Sequence, residues 1–463
     1  MKIRILLCLI FIIVGPLARG DFQRGTAIRD AEIEKILRNY LDPLFKVAGL
    51  NPGEARIVMV VENALNAAAL PDNTLLFYTG FLVEAENPEE IAGVLAHEVG
   101  HIAGRHLVRM YGAMEKSQQM GMLGALMGIA VGLLGAPDAG IALALGGSSQ
   151  ALHSFLHYRR GEEEAADMLG VQYLERLKWP IRGLRTFLSK MLGQELLSES
   201  LQDPYLRTHP LTHERVERIR AKEDAGSKNQ KMPPYFYEQH HRMVAKLKAF
   251  LWSPKKTLHA FKGDRLLDRY AQSIAYYRQA DFDKALSLLR QLIVEEPDNP
   301  FFFELQGQIL FESGKGSQSV IPYRKAVDLY PGSALLQAAL AQSLLQDNKK
   351  ASVEEALDHL QKAIALEEDN GMAWNYLAIA YGRQNQMAKM ALALAEKGLL
   401  TNEWVYAMEQ AERAQHFAKK NDKEYRRAED IKKEATRQLA ESKKGGLFGI
   451  RSRDAIESGA GSR

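Results

Sequence analysis

Cysteine is nearly absent from this chain of 463 residues: the single one is Cys8, inside an apolar N-terminal stretch. A disulfide framework and thiol chemistry are thereby excluded from everything downstream. Charge of one sign is also lacking, with 60 Lys and Arg against 57 Asp and Glu, a formal net charge of +3. No basic surface of the kind that binds nucleic acid is advertised, and none is expected as a partner. Long apolar runs are missing too. Ile5 to Val14 spans ten residues and Met120 to Ala136 seventeen, so a set of membrane-spanning helices is excluded.

What is present begins with the N-terminus. Lys2 and Arg4 precede the apolar Ile5–Val14, and Ala18-Arg19-Gly20 offers a small-x-small cleavage site, so residues 1–20 read as a secretory signal peptide. Its loss removes Lys2, Arg4 and Arg19 and no acid, taking the formal charge to zero. The length of the remainder calls for more than one core.

The chemistry is concentrated in Asn87 to Arg105, NPEEIAGVLAHEVGHIAGR. Asn87 suits an N-cap and Pro88 the first helical position, with Glu90 three residues after the cap. Ile91, Val94, Leu95, Val99 and Ile102 recur at helical spacing. His97 and His101, four apart, therefore project from one face, as two ligands to a divalent metal must. Glu98 falls beside that face, where it can take a proton from an attacking water. Upstream, 29–50 reads as an amphipathic helix, and Arg56–Val61 and Leu75–Thr79 as strands, the first of them buried. Asn63–Leu70 between them is either an exposed edge strand or an interior strand or linker; an edge would pair with an extended peptide.

Met120–Ser149, rich in Gly, Ala, Leu and Met with Asp138 its only charge, reads as a mobile apolar loop (116–150). It is expected to touch a membrane surface, cover the site or contact unfolded chains. A helix over 151–178 follows, on which Glu163 and Asp167 share a face. By spacing alone Glu162, Glu163 and Glu164 are equally a solvated acidic turn.

His97-Glu98-x-x-His101 with Arg160-x-x-Glu163-x-x-Ala166-Asp167 resembles the gluzincin metallopeptidases that include HtpX, the mitochondrial Oma protease and the CAAX prenyl proteases. The resemblance implies one Zn²⁺ per chain held by His97, His101 and Glu163, catalysis by Glu98, and for Asp167 a role orienting a ligand or donating a proton. Ala165 stands where the family usually has a second Glu. Thr208-His209-Pro210 with Arg215 resembles the family's downstream element. His209 is a candidate fourth ligand or regulatory residue; stabilising the transition-state oxyanion or bonding a carbonyl of its own loop are the alternatives.

From about 266 the chain repeats. Pro297 and Pro331 are 34 apart, the tetratricopeptide period. Gly307, Tyr323, Ala326, Ala341, Ala356, Ala363, Trp374, Ala378 and Tyr381 fall at consensus offsets, giving four units. Residues 222–262 read as a connection with a helix at 236–251 and a solvated His240-His241 pair.

The expected architecture is mainly α with a small β-sheet. Residues 1–20 are a leader, 21–262 a gluzincin-type domain, 263–440 an all-α repeat solenoid and 441–463 a disordered basic tail. Such a secreted, repeat-bearing peptidase resembles envelope proteases of Gram-negative bacteria. The resemblance implies a periplasmic location, unfolded or stalled outer-membrane proteins as clients, and the β-barrel assembly machinery as a partner of the repeats.

Overall fold

The computed structural model describes residues 23–70, 72–106, 109, 149–193, 209, 211–226 and 230–445, with backbone only at 149–159 and 443–445. The expected leader, nearly all of the apolar loop, Thr208, Pro210 and the end of the tail lie outside the described residues.

The chain enters through β1 (Ala27–Ile28) and α1 (Ala31–Val47), which Asp30 caps by accepting from the Ile33 N–H. β2 (Arg56–Val60), β3 (Ala67–Ala69) and β4 (Thr74–Tyr78) complete a four-stranded sheet in the order β1-β2-β4-β3. β2 and β4 run parallel with Met59 opposite Phe77, while the outer strands pair antiparallel. β4 is buried throughout, as a central apolar run should be. β2 corrects the expectation of a buried strand. Only Met59 within it is buried, because its outer neighbour is two residues long and leaves that flank in water. Among the described residues β3 borders β4 alone and is an edge strand.

After α2 (Thr79–Glu84) comes α3 (Pro88–Ala103). The Asn87 carboxamide accepts from the Glu89 and Glu90 N–H groups at 3.0 and 3.2 Å, a cap that stabilises a helix by about 1 kcal/mol. From Pro88 to His101 every residue is buried, so α3 is the central helix and needs apolar or small residues on all sides. α4 (Ser149–Leu177) and α5 (Arg182–Leu192) flank it. Glycines permit the closeness: a Cβ at Gly100 would lie 2.7 Å from the Ala166 carbonyl oxygen on α4, and one at Gly93 only 2.3 Å from the Leu184 nitrogen on α5. Around these contacts Leu37, Leu41, Phe45, Leu95, Leu174 and Phe187 form one core, each fully buried side chain contributing roughly 1.5–3 kcal/mol.

α6 (His213–Gly226) is followed by α7 (Pro234–Leu251) and α8 (Pro254–Ala260). α7 corrects the reading of 222–262 as a connection. Phe236 packs on Tyr40 and Trp179 with ring centroids 4.6 and 5.3 Å away, and Met243 and Leu247 join the same core. His240, expected in solvent, is 2% exposed; it lies on the same side of α7 as Phe236 and Met243, which the core claims.

Contacts divide the described chain between Pro297 and Asp298. The first helix pair, α9 (Leu266–Arg278) and α10 (Phe282–Glu295), belongs to the first unit. It is tied there by the Tyr270 hydroxyl, which donates to Glu32 Oε2 at 2.6 Å, while Lys246 Nζ reaches Asp30 and Glu32. The expected boundary at 262/263 falls inside this unit.

The second unit is a row of helix pairs: α11 (Pro300–Glu312) with α12 (Gly316–Leu329), α13 (Ala334–Leu344) with α14 (Lys350–Leu366), α15 (Gly371–Arg383) with α16 (Met387–Leu400), and α17 (Trp404–Phe417) with α18 (Lys423–Gly445). Gly307 admits the Tyr323 ring, which would sit 2.7 Å from a Cβ there. The last pair is one more than the consensus offsets signalled. It closes on small residues, Ala407, Ala411, Ala414, Ala428 and Ala435, rather than on a proline turn. Its helix α18 runs to Gly445, past the expected start of the tail at 441. Among the described residues no helix is long and apolar enough to cross a membrane.

Candidate metal centre

α3 sets His97 and His101 one turn apart with their Nε2 atoms 3.1 Å from each other. α4 delivers Glu163, whose Oε2 lies 3.4 Å from His97 Nε2 and whose Oε1 lies 3.4 Å from His101 Nε2. Contact between α3 and α4 sets this distance: besides Gly100, a Cβ at Gly170 would lie 3.0 Å from the His97 nitrogen. His209 completes the group, its Nδ1 being 3.1 Å from Glu163 Oε2 and 3.4 Å from His97 Nε2. One donor atom from each of these four buried residues lies within 4.8 Å of all the others.

Behind the cluster, Asp167 Oδ1 is 2.8 Å from His97 Nδ1. Arg215, from α6, donates to both Asp167 oxygens at 2.6 and 2.9 Å and reaches Glu163 Oε2 at 3.2 Å. Glu98 sits beside the donors. Its Oε2 accepts the Ala69 N–H of β3 at 2.7 Å, while its buried Oε1 has no hydrogen-bond partner and lies 3.5 Å from His209 Nε2.

Burial disfavours every charge here, and the neighbours decide the outcome. It pushes the His97 imidazole down, but the Asp167 and Glu163 carboxylates outweigh it and hold the ring at about 10. For His101 burial prevails over the pull of Glu163 and its affinity for a proton falls. Burial alone would raise Glu163 and Asp167. His209 and His101 hold Glu163 well below the usual carboxylate range instead, and Arg215 and His97 hold Asp167 down.

Imidazole nitrogens and carboxylate oxygens crowd together at 3.1–3.4 Å with few protons to share. Nitrogen and carboxylate donors in this number suit a divalent transition metal. The orphaned Glu98 oxygen beside them is the second sign that something polar belongs there. The donor set fits a metal.

Sequence reasoning missed two participants. The Ala69 N–H carries no side-chain signal at all. His106, 5% exposed, places Nδ1 2.9 Å from His101 Nδ1 and Nε2 3.1 Å from Glu162 Oε2. Burial and the neighbouring His101 push it down to about 4, so its ring is neutral. It lies beyond the end of α3, where helical periodicity says nothing.

Residues 27–223 match the model of peptidase family M48, and 270–334 that of the tetratricopeptide repeat. The chain is 26% identical over 418 residues to the beta-barrel assembly-enhancing protease of Yersinia pestis, covering 83% of this chain and 82% of that protein. It is also 26% identical over 357 residues to the protein of that name from Escherichia coli (strain K12), 73% of this chain and 69% of the other. Mitochondrial metalloendopeptidase OMA1 of Arabidopsis thaliana is 28% identical over 156 residues, 33% of this chain and 28% of that one. The protein is therefore a metallopeptidase whose catalytic domain, residues 27–223, matches peptidase family M48 and is followed by tetratricopeptide repeats.

Proposed function

We propose that this protein is a periplasmic zinc-dependent endopeptidase and chaperone-like factor that promotes assembly of outer-membrane β-barrel proteins and degrades misfolded or stalled ones. The observation that carries the reading is the convergence of His97, His101, Glu163 and His209 beside the orphaned Glu98 oxygen. Similarity along 83% of the chain to a protease named for β-barrel assembly supports the biological setting. The signal-like Met1–Gly20 and the bacterial origin of those relatives support the periplasm.

His97, His101 and Glu163 would hold one zinc ion per chain. When bound, zinc polarises a peptide carbonyl and makes a nearby water more acidic. Glu98 has one oxygen pinned by the Ala69 N–H and the other without a partner. The unpaired oxygen takes the proton of the attacking water and returns it to the leaving nitrogen. Asp167 accepts from His97 Nδ1, which fixes the tautomer that turns Nε2 toward the other donors, and Arg215 holds Asp167 in turn. Asp167 thus positions a ligand. The edge of β3 away from β4, which no other described strand pairs and on which Glu98 takes the Ala69 N–H, pairs with an extended stretch of client backbone, a mode indifferent to side-chain sequence. The repeats offer helix pairs on which clients or the outer-membrane assembly machinery dock.

His209, within reach of the other donors, would act as a latch: as a fourth ligand it would keep attacking water out until a client or partner displaces it. The rival reading is an assembly chaperone or adaptor whose proteolysis is secondary. The test compares wild type with Glu98→Gln for metal content, casein degradation and client assembly. The variant should keep about one zinc per chain and lose cleavage by roughly 10²-fold or more. Undiminished cleavage overturns the mechanism, and undiminished assembly without cleavage establishes the adaptor reading.

A further inference from the structure

The end of α3 is built around a histidine rather than around its own glycine. Gly104 caps the helix at φ −68°, an ordinary helical angle, while Arg105 takes the left-handed φ of 52°. A non-glycine residue in that region costs on the order of 1 kcal/mol, and glycine is the usual occupant. Gly104 is one position early to serve that purpose. What it supplies is space, since a Cβ there would lie 2.2 Å from His106 Nε2 and 2.5 Å from its Cδ2. The reversal at Arg105 turns the chain so that the His106 ring stands edge-on to His101, centroids 4.9 Å apart and planes at 87°.

The protons along this contact have one consistent arrangement, given the proposed reading in which His101 Nε2 faces the metal. A neutral His101 with that lone pair inward carries its proton on Nδ1. The Nδ1–H then donates to His106 Nδ1, 2.9 Å away. His106, accepting there, carries its own proton on Nε2, which faces the Glu162 carboxylate with Oε2 3.1 Å away. Arg109 Nη2 donates to the same carboxylate at 3.0 Å. The chain runs from ligand through imidazole to carboxylate to guanidinium.

We infer that His106 and Glu162 are positioning residues for the metal centre, doing for His101 what Asp167 and Arg215 do for His97. Each ligand on α3 has its outer ring nitrogen engaged by an acceptor backed by an arginine. His97 meets a carboxylate directly; His101 meets one through an intervening imidazole. Such outer partners orient the ligand, fix its tautomer and raise its basicity, and losing one weakens metal binding by about 10–100-fold.

The experiment measures zinc affinity of the full chain by competition with a chelator, so it does not depend on activity. His106→Phe keeps the ring volume and removes the acceptor; its zinc affinity should fall about 10–100-fold. His106→Gln, whose amide oxygen can accept from His101, should recover much of the loss. In the cobalt(II)-loaded protein, the His101 ring N–H should exchange slowly with solvent in wild type and be lost in His106→Phe, while the His97 ring N–H persists. Gly104→Ala, which leaves no room for the ring, should lower affinity with His106 still present. A folded His106→Phe that binds zinc as tightly as wild type overturns the inference. So does a His106→Gln no better than His106→Phe, because the ring then matters only as filling. Should His106→Phe not fold, Gly104→Ala decides, and wild-type affinity there overturns the inference. Full zinc binding by His101→Ala would instead overturn the underlying assignment of the ligands.

Discussion

Asp167, on the opposite edge of the His97 ring from the donor cluster, forms a two-pronged ion pair, sealed from solvent, with Arg215, which also reaches Glu163. Arg215 Nε lies 2.6 Å from Oδ2 and its Nη2 2.9 Å from Oδ1, with the residues 2% and 1% exposed. A pair this deep gains little over an apolar pair, but removing one partner strands the other charge, at a cost of about 3–5 kcal/mol. Arg215→Met should therefore destabilise the catalytic unit by about that amount and reduce bound zinc. Arg215→Lys, which keeps the charge and loses the fork, should fall between the two. Thermal unfolding and metal content of the three proteins check this, and an Arg215→Met of wild-type stability would contradict it.

The His209 latch has a consequence of opposite sign from its rivals. His209→Ala should retain zinc and cleave casein, and itself, faster than wild type. If His209 stabilises the oxyanion the variant is slower; if it only braces its loop the change is confined to stability. Cleavage rates of zinc-loaded His209→Ala beside wild type separate the three.

Two glycines of the catalytic unit should respond oppositely to alanine. At Gly100 a Cβ meets the Ala166 carbonyl oxygen at 2.7 Å, and neither backbone can yield without parting α3 from α4. Overpacking of this kind costs about 1–3 kcal/mol. Gly161, in the interior of α4, has nothing within 4 Å of that position, so alanine there should stabilise the helix by up to about 1 kcal/mol. Denaturation midpoints of Gly100→Ala and Gly161→Ala test the contrast.

Acid should weaken the fold through His240. Burial, then the nearby His241, pushes its imidazole from 6.5 down to about 4, against the pull of a hydrogen bond to the Ala85 carbonyl. Below pH 6.5 the unfolded chain takes up a proton that the folded chain refuses until about pH 4. This contribution to stability is thus intact above pH 6.5 and is lost as the pH falls toward 4, by up to about 3 kcal/mol. The unfolding temperature of His240→Leu should vary less between pH 7 and 5 than that of wild type. Equal pH dependence in the two would show that other groups govern it.

His97 and His101 were legible as a pair because four residues are one helical turn, and the cap at Asn87 and the apolar spacing from Ile91 state the helix locally. The same held for the repeats wherever a proline or an aromatic marked the 34-residue period, from Pro297 to Trp374. Glu163 was different. Among three consecutive glutamates no periodicity chooses one, and only resemblance to known peptidases singled it out.

Periodicity tells which face of an element is apolar; it is silent about which other element covers that face. The sequence by itself therefore determined the metal helix, the helical repeats and the absence of any disulfide, all of them consequences of short-range spacing or composition. Tertiary structure alone decided the rest. Gly100 and Gly170 let α4 touch α3, which brings Glu163 within 3.4 Å of His97 and His101. The edge position of β3 spends the Ala69 N–H on Glu98, α7 buries His240 with Phe236 in the core, and the reversal at Arg105 lays His106 against His101. Each joins residues far apart in the chain, or beyond the end of a helix, through close packing, and a contact of that kind has no period to read.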